Sequence, residues 1–321
     1  MNNILGMGNA LVDILVRLES DRTLEVFSLP KGSMQLVDRN TSRRILAGID
    51  NLDKTITSGG SAANTIHGLA ELGIRTGFIG TVGRDRYGDF FRNDMKRHNI
   101  HTELFQSSTE SGRAISLISP DSERTFATYL GAAIELEPDH ITQEQFKGYN
   151  LFHMEGYLVQ NHDLVRQAFI LARRENLKIS LDMASYNVVE ENIDFLEEMV
   201  KNYVDIVFAN EEEARSFTGK APEEALHHFA EMCDIAVVKT GKSGSLVKRG
   251  EEFHKIGIIP AESVDTTGAG DLYAAGFLYG LTKNLPLNRC GEMGALLSGR
   301  VIEVIGSKVD ESQWKLIRDL L

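Results

Sequence analysis

The sequence predicts an α/β fold with a largely parallel central sheet that is covered by helices on both faces. Short β-rich apolar runs recur along the 321 residues, and amphipathic helical segments lie between them. One of these segments places Ala62, Ile66 and Leu69 on a single helical face. Alternation of strands and helices is typical of parallel sheets, because a connection between parallel strands usually contains a helix.

Seven segments have the composition of strands: 4–7, 76–82, 150–154, 178–182, 204–209, 235–238 and 245–248. Two further stretches, 13–38 and 112–130, break the alternation and are predicted to be antiparallel strands. We interpret these two stretches as a small β-sheet lid on a single domain that spans residues 1–321. A lid suits chemistry that must exclude water.

Composition narrows the classes of function. The formal net charge of −12 argues against a general nucleic-acid-binding surface. No apolar run in the sequence approaches the ~18 residues that a membrane span needs. The two cysteines, Cys233 and Cys290, and the nine histidines show no metal-ligand spacing, and so few cysteines fit a reducing cytoplasm. We expect a cytoplasmic protein that acts on a small molecule, with neither nucleic acid nor membrane as partner.

The strongest motif is the segment 265–271, Asp-Thr-Thr-Gly-Ala-Gly-Asp, which leads into an apolar helix. Small residues at a helix start leave backbone N–H groups bare, and such a start binds anions. A carboxylate beside bound phosphate can accept the proton of an attacking hydroxyl, so Asp271 is a candidate catalytic base. The alternative is a glycine-rich helix cap with an aspartate in its first turn.

A second glycine-rich turn, 58–65, also enters a helix. Its paired glycines, Gly59 and Gly60, allow a polyol to approach the backbone closely. Asn64 can both donate and accept hydrogen bonds. A tight loop with close helix packing would explain the same residues without any ligand.

Two more segments follow predicted strands, at the sheet edge where open α/β folds bind ligands. The turn 239–244 contains Gly-Lys-Ser but lacks the first glycine of a Walker A loop, since residue 236 is alanine. It is still a candidate nucleotide-contacting turn. Segment 210–214, Asn-Glu-Glu-Glu-Ala, offers an amide and a carboxylate that can hold a hydrated Mg²⁺. Acidic residues that merely complement the helix dipole are the alternative.

Taken together and in this order, these segments resemble the ribokinase, or PfkB, family of carbohydrate kinases. The block 265–278 fits that family's signature throughout, and the similarity runs from residue 8 to about residue 306. The N-terminal block fits at its glycines and at Asn64, whereas Ile66 stands where a small residue is usual. The segments that look most like bacterial proteins of the adenosine-kinase-like branch are 31–38, 59–65, 129–133 and 271–280.

The resemblance implies a three-layer ribokinase-like fold and a kinase that uses ATP and Mg²⁺. The base and the amides of the anion hole would be Asp271, Gly268, Ala269 and Gly270. The residues that hold the acceptor's hydroxyls would be Asp13, Gly59, Gly60 and Asn64. The residues that line ATP would be Lys239, Gly241 and Gly244.

The resemblance also implies ion sites. Asn210 and Glu213 would position Mg²⁺, largely through water. Asp265 and Thr267 would begin a site for a monovalent cation such as K⁺. Arg124, in the predicted lid, could approach the phosphates of ATP.

We therefore expect in-line transfer of the γ-phosphoryl group of ATP to a primary hydroxyl. The preferred acceptor is a nucleoside such as adenosine, because the segments that resemble the adenosine-kinase-like branch, 31–38 and 129–133, are expected to form the lid and the acceptor pocket. A nucleoside base needs an apolar or aromatic surface. The residues that could supply this surface are Met34, Leu36, Tyr129 and Leu130. The alternatives are a kinase of a free sugar or sugar phosphate and, in a different class, a sugar or nucleotide sensor without catalysis. The sequence leaves open both a monomer and a homodimer paired through the lid.

Overall fold

The structure is a computed structural model that describes residues 3–320, and over these residues it has fourteen strands and twelve α-helices. The strands are β1 (Asn3–Met7), β2 (Leu11–Arg17), β3 (Met34–Leu36), β4 (Lys54–Gly59), β5 (Arg75–Gly83), β6 (His101–Ser107), β7 (Gly112–Ile118), β8 (Arg124–Tyr129), β9 (Leu151–Glu155), β10 (Lys178–Asp182), β11 (Ile206–Asn210), β12 (Ile235–Lys239), β13 (Ser245–Arg249) and β14 (Glu252–Ile256). The helices are α1 (Arg22–Val26), α2 (Arg39–Gly48), α3 (Ser61–Glu71), α4 (Arg86–Arg97), α5 (His162–Arg174), α6 (Tyr186–Glu191), α7 (Ile193–Tyr203), α8 (Glu211–Thr218), α9 (Pro222–Ala230), α10 (Ala269–Thr282), α11 (Leu287–Val301) and α12 (Glu311–Asp319).

The larger sheet has nine strands in the spatial order β14-β13-β12-β11-β10-β9-β1-β5-β6. The strands from β12 to β6 are parallel, while β13 and β14 pair antiparallel at one edge. Successive residues of the central strands belong to different apolar clusters: Phe208 packs on one face and Val207 on the other. Both faces are therefore covered, and the predicted α/β class with a mostly parallel sheet is confirmed.

All seven predicted strands are present in the larger sheet, with ends that differ by at most two residues. The prediction missed its two edge strands, β6 and β14. Their side chains are mostly half-buried or exposed, so they lack the continuous apolar run that marks a buried parallel strand. Among residues 3–320, no helix is both long enough and apolar enough to cross a membrane.

The smaller sheet has five strands in the order β3-β8-β7-β2-β4. It confirms a second small sheet but corrects three details of the prediction for 13–38 and 112–130. Residues 22–26 form helix α1, strand β4 was missed, and the pairs β2–β7 and β3–β8 are parallel. The error came from assuming that neighbouring strands in sequence pair as hairpins, whereas here β2 pairs with two strands that lie further along the chain.

Helix α3 packs very closely on strand β1. A Cβ atom on Gly6 would lie 2.3 Å from Cγ1 of Ile66, so only glycine fits at position 6 in this packing. Ile66, which departs from the family pattern, is fully buried there. The absence of a side chain at position 6 provides the space that the larger residue at position 66 requires.

At one edge of the larger sheet, polar residues lie at or just after the carboxyl ends of five parallel strands. Register places Asp182 beside Glu155 on the neighbouring strand, and Asn210 beside Lys239. Gly8 follows β1 at the same edge, and a Cβ atom there would lie 2.3 Å from a carboxylate oxygen of Glu155. This edge is where ligands bind in open α/β sheets.

Candidate active site

The start of α10 carries the strongest sequence motif. Gly268 is the N-cap in the left-handed region, at φ 77°, and a Cβ atom there would lie 2.7 Å from Cβ of Ser307. No side chain caps this helix. The N–H groups of Gly268 and Gly270 have no acceptor among residues 3–320, whereas that of Ala269 donates to the carbonyl of Thr266 at 3.2 Å. Two of the three predicted anion-hole amides are thus free to bind an anion.

Asp271 lies in the first turn of α10, and both of its carboxylate oxygens are hydrogen-bonded. Ser61 Oγ donates to Oδ1 at 2.7 Å, and Asn64 Nδ2 donates to Oδ2 at 2.9 Å. Burial raises the pKa of Asp271 above its usual value, although these two hydrogen bonds oppose the shift. Helix α3 therefore fixes the orientation of the carboxylate, which keeps lone pairs for a further partner.

Lys239, at the end of β12, lies beside the same helix start. Its Nζ is 2.9 Å from Oδ2 of Asp182 and would be 3.1 Å from a Cβ atom on Gly270. The carboxylates of Asp182 and Glu213 raise the pKa of Lys239 despite its burial, so the ammonium keeps its charge. A fixed cation therefore stands next to the free N–H groups of α10, which strengthens the attraction for an anion.

Asp13, Gly59 and Gly60 come together where the smaller sheet meets α3. A Cβ atom on Gly59 would lie 2.3 Å from the carboxyl carbon of Asp13, so the carboxylate rests directly on the glycine backbone. Gly60 has φ 99°, and a Cβ atom there would lie 2.1 Å from the carbonyl oxygen of Asn9. Burial raises the pKa of Asp13 to about 7, with Lys308 acting in the opposite direction and Asp271 adding to the shift.

Asn64 bridges two parts of the site. Its amide nitrogen donates to Asp271, and its Oδ1 accepts hydrogen bonds from Ser307 Oγ at 2.9 Å and from Lys308 Nζ at 3.2 Å. The side chain predicted to hold the acceptor therefore also orients the carboxylate of Asp271. Burial lowers the pKa of Lys308 to about 8, and the neighbouring carboxylates Asp94 and Asp13 resist this shift.

Asn210 and Glu213 form a reciprocal cap at the start of α8. Asn210 Oδ1 accepts from the Glu213 N–H at 2.9 Å, while the Glu213 carboxylate accepts from the N–H of Asn210 at 2.7 Å and from its Nδ2 at 2.6 Å. Burial, with Asp182 nearby, raises the pKa of Glu213 to about 7, although Lys239 opposes the shift. A hydrated Mg²⁺ fits this environment, because added positive charge would stabilise a buried carboxylate whose ionisation is otherwise costly.

The surroundings of Asp265 do not suit the predicted monovalent cation. Its Oδ1 accepts from the N–H of Thr267 at 2.9 Å, and its Oδ2 accepts from the N–H of Gly306 at 2.5 Å. Arg124, from the smaller sheet, forms an ion pair with Asp265 and lies 3.4 Å from Thr267 Oγ1. Because the guanidinium already neutralises this carboxylate, the residues do not fit K⁺ in this arrangement. Arg124 does lie beside the loop that opens α10, and its approach to phosphates stays a prediction.

The glycines of the turn between β12 and β13 have different surroundings. Gly244 has φ 92°, and a Cβ atom there would lie 1.9 Å from the carbonyl oxygen of Ile256, so a close backbone approach requires glycine. Gly241, at φ 53°, faces open space with nothing within 4 Å of its Cβ position. Gly244 thus shapes the turn, while Gly241 leaves room beside it for a ligand.

Three residues of this region were not predicted as site residues. Glu155 accepts hydrogen bonds from the N–H of Asn9 at 2.9 Å and from the N–H of Ala62 at 2.8 Å, which holds the start of α3. Asp182 anchors Lys239, and Lys308 contacts Asn64. Glu155 and Asp182 are each the last residue of a buried strand, and this position could have identified them as site residues from the sequence. Lys308 follows a loop of unremarkable sequence, and no pattern pointed to it.

Comparison with known proteins agrees with this geometry. Residues 46–314 match the pfkB family of carbohydrate kinases. An adenosine kinase from Sinorhizobium meliloti has a TM-score of 0.88 and is 32% identical, covering 100% of this chain and 99% of that chain. A probable sugar kinase from Rhizobium etli CFN 42 also has a TM-score of 0.88, at 31% identity over 99% of this chain and 98% of that chain.

Among curated proteins, the 5-dehydro-2-deoxygluconokinase of Geobacillus kaustophilus is 31% identical over 265 residues, 76% of this chain and 78% of that protein. The chain belongs to the PfkB family of carbohydrate kinases. It is a phosphotransferase whose acceptor is an alcohol group of a sugar or nucleoside, with ATP implied as the phosphoryl donor. The predicted family, the predicted likeness to adenosine kinases and the predicted enzyme class are confirmed.

Proposed function

We propose that this kinase transfers the γ-phosphoryl group of ATP to a primary hydroxyl of a nucleoside, with adenosine preferred, and that Asp271 accepts the proton. The observation that carries the proposal is the position of Asp271. Its carboxylate lies in the same helix turn as the free N–H group of Gly270, with the Lys239 ammonium beside that residue. A proton acceptor and an anion hole are thereby adjacent, as in-line phosphoryl transfer requires.

The protein's own groups supply orientation and charge. Ser61 and Asn64 hold the Asp271 carboxylate, so its remaining lone pairs can meet an acceptor hydroxyl without reorganisation. The raised pKa of Asp271 makes it a stronger proton acceptor than an exposed aspartate. The amides of α10 and Lys239 stabilise charge on the transferring group.

Ions complete the proposed site. Asn210 and Glu213 would hold Mg²⁺ through water, and this ion would neutralise charge on the phosphates when bound. Asp265 and Thr267 were predicted for a monovalent cation, but we assign no step to one because Arg124 pairs with Asp265. The proposal includes one domain over residues 1–321, a cytoplasmic location and the smaller sheet as its lid.

The acceptor preference rests on one face of the smaller sheet. Residues directly opposite each other in a sheet point to the same side. Register aligns Asp13 with Ala114, Ala114 with Thr128, and Thr128 with Leu36, so Asp13 and Leu36 share a face. Met34, two residues before Leu36, lies on this face as well.

Two apolar side chains on this face are therefore not part of the core. Met34 is 55% exposed and Leu36 is 66% exposed. Residues that only packed the lid onto the body would be buried, so their exposure favours a role in contact with a ligand. Arg124, which reaches Asp265, is on the same face, because it lies an even number of residues from Thr128. An apolar surface beside Asp13 suits a nucleoside base better than a free sugar.

Tyr129 does not support the acceptor pocket as predicted. It is an odd number of residues from Arg124 and so points to the opposite face, where the Arg113 guanidinium lies 4.9 Å from its ring centre. Arg113 in turn donates to Ser42 Oγ on α2 at 2.8 Å. The ring of Tyr129 therefore packs between the smaller sheet and α2.

A free sugar or sugar phosphate is the second candidate acceptor. The observation that favours it is Lys308, a cation close to Asp13 that would suit an acceptor bearing negative charge. The similarity to the 5-dehydro-2-deoxygluconokinase points in the same direction.

A kinase assay with adenosine, ribose, fructose and fructose 6-phosphate separates these candidates. We expect kcat/KM for adenosine to exceed that for the sugars by on the order of 10². The double variant Met34→Ser, Leu36→Ser should lose about tenfold in kcat/KM for adenosine and much less for ribose. Ile56→Ser is the matched control, since Ile56 is 37% exposed on the same sheet but pairs with Ile14 on the other face. An equal preference for sugars would contradict the nucleoside assignment and leave the kinase assignment intact.

A further inference from the structure

Two histidines and an aspartate meet where α3 packs against α4. The cluster consists of His67 on α3, Asp94 on α4 and His98, which caps the end of α4. One potential ligand atom from each side chain lies within 4.8 Å of the other two. The two imidazole rings have centroids 4.1 Å apart and are tilted by 53°. No metal-ligand spacing was recognised for these residues, because His67 on α3 is 27 residues before Asp94 in the sequence.

We propose that His67, Asp94 and His98 form a binding site for a divalent transition-metal ion of the Zn²⁺ type. Two imidazole nitrogens with one carboxylate oxygen are a common ligand set for Zn²⁺, with a fourth position left for water. Tetrahedral Zn²⁺ brings ligand atoms to about 3.3 Å from one another. The ligand atoms therefore need to approach one another by at most about 1.5 Å. His98 is 33% exposed and lies at the end of α4, so its side chain has room to move.

The inner histidine has no competing interaction. His67 is only 6% exposed, and no hydrogen bond to its ring is found among residues 3–320. With no protein partner on its ring, His67 can present a nitrogen lone pair to an ion without first losing a hydrogen bond. Burial also lowers the pKa of His67 well below its usual value, with the Lys308 charge acting in the same direction.

The outer histidine is already oriented by a carboxylate. Glu71 Oε1 lies 2.6 Å from Nδ1 of His98, so the proton belongs on Nδ1 and the lone pair of Nε2 is free. Nε2 lies 3.9 Å from Oδ1 of Asp94, toward the centre of the cluster. Ser58 Oγ donates to Asp94 Oδ2 at 2.5 Å and holds that carboxylate in turn. Carboxylates that orient metal-bound histidines are typical of protein zinc sites.

Charges around the cluster do not prevent binding. The anions that face it are Glu71 and Asp94, and the cations are Arg97, Arg318 and Lys308. Arg97 Nη2 lies 3.0 Å from Asp94 Oδ1, but this arginine side chain is 64% exposed and can turn into solvent. The charge of Lys308 opposes a second cation, while the carboxylates of Glu71 and Asp94 attract it.

The location gives the ion a structural effect. The ligands come from two helices, so the site exists only when α3 and α4 are packed, and metal binding stabilises the folded chain. His67 is also one helical turn from Asn64, which orients Asp271. The ion would therefore hold in place the helix that supports the proposed base.

The test is titration of the untagged, chelator-treated chain with ZnCl₂ in a calorimeter, together with the absorption spectrum of the Co²⁺ form. We expect one Zn²⁺ per chain, the strong visible bands of four-coordinate Co²⁺, and a higher unfolding temperature with Zn²⁺. His98→Ala should weaken binding at least ~10-fold and Glu71→Gln by about 10-fold. His101→Ala is the matched control, because His101 is 68% exposed and outside the cluster, and it should bind as the original chain does.

Circular dichroism of His98→Ala shows that the variant is folded before it is titrated, and Glu71→Gln keeps all three ligands. A stoichiometric site that His98→Ala leaves at full affinity would overturn the proposal. So would a chain that takes up no Zn²⁺ with one-to-one stoichiometry. Neither result depends on which acceptor the kinase uses.

Discussion

Two helix starts in this protein, those of α10 and α8, are both polar and both lie at the ligand-binding edge of the larger sheet. The start of α8 is closed by its own side chains, since Asn210 and Glu213 satisfy each other's hydrogen-bonding groups. The start of α10 has no side-chain cap, and N–H groups of its glycines have no acceptor among the described residues. The first arrangement stabilises a helix, and the second leaves binding capacity for a ligand.

This difference shows why a polar helix start by itself is weak evidence for a site. An acidic, well-capped start such as 210–214 has enough reason to exist as a stabilising element. An uncapped start with an oriented carboxylate has no such capping role, and its N–H groups remain available to a ligand. The following predictions test whether the two starts differ as much in function as they do in hydrogen bonding.

The largest expected effect is a loss of catalytic rate on substitution at the uncapped start of α10. Asp271→Asn should lower kcat by at least ~10², because the proposed proton acceptor is lost while the shape of the side chain is kept. ATP binding, measured by calorimetry, should be unchanged. Asp89→Asn is the matched control, since Asp89 is an exposed aspartate in the first turn of α4, and it should keep full activity. Near-normal turnover of Asp271→Asn would return Asp271 to the role of a plain helix-start residue.

At the capped start of α8, replacing Glu213 should change how the free energy of unfolding depends on pH. Burial raises the folded-state pKa of Glu213 to about 7 from 4.5, so the folded chain retains a proton that the unfolded chain releases. The original chain therefore loses stability as pH rises between these values, and Glu213→Gln does not. Urea unfolding at pH 4.5 and 7.5 should show the variant gaining about 3 kcal/mol relative to the original chain. A difference independent of pH would contradict the raised pKa.

Removing the cap should cost a modest amount of stability. Asn210→Ala should lower the free energy of unfolding by about 1 kcal/mol, the usual value for loss of an N-cap. Asp38→Ala is a comparable loss, because Asp38 caps α2 by accepting from the Thr41 N–H at 2.7 Å. Both variants should unfold at lower urea concentration by similar amounts. Only Asn210→Ala is expected to change the Mg²⁺ dependence of the rate as well.

The smallest expected effect distinguishes a helix cap from a metal site. Glu213→Gln should raise the Mg²⁺ concentration for half-maximal rate by about threefold at saturating ATP, since a carboxylate contribution to the hydrated ion is lost. The same titration with Asp38→Ala should match the original chain. An unchanged Mg²⁺ titration for Glu213→Gln would leave the start of α8 with a capping role alone.

Much of the fold could be predicted because buried parallel strands are nearly continuous apolar runs, as in 178–182 and 235–238. The half-exposed strands β4 and β6 carry no such signal, and the parallel pairing of β2 with β7 depends on contacts far apart in sequence. Glycine-rich turns located the candidate site, because tight turns restrict which residues fit. Lys308 and the pairing of Arg124 with Asp265 arise only from tertiary packing, which no local pattern encodes.

The close contact between α3 and β1 links two positions that are sixty residues apart. With Cγ1 of Ile66 2.3 Å from where a Cβ atom on Gly6 would stand, neither residue can change size freely. A residue larger than glycine fits at position 6 only after position 66 has changed to a smaller residue. Substitution at position 66 followed by position 6 is therefore possible, whereas the reverse order produces a steric clash. We therefore expect the two positions to change as a coupled pair, with the substitution at position 66 coming first.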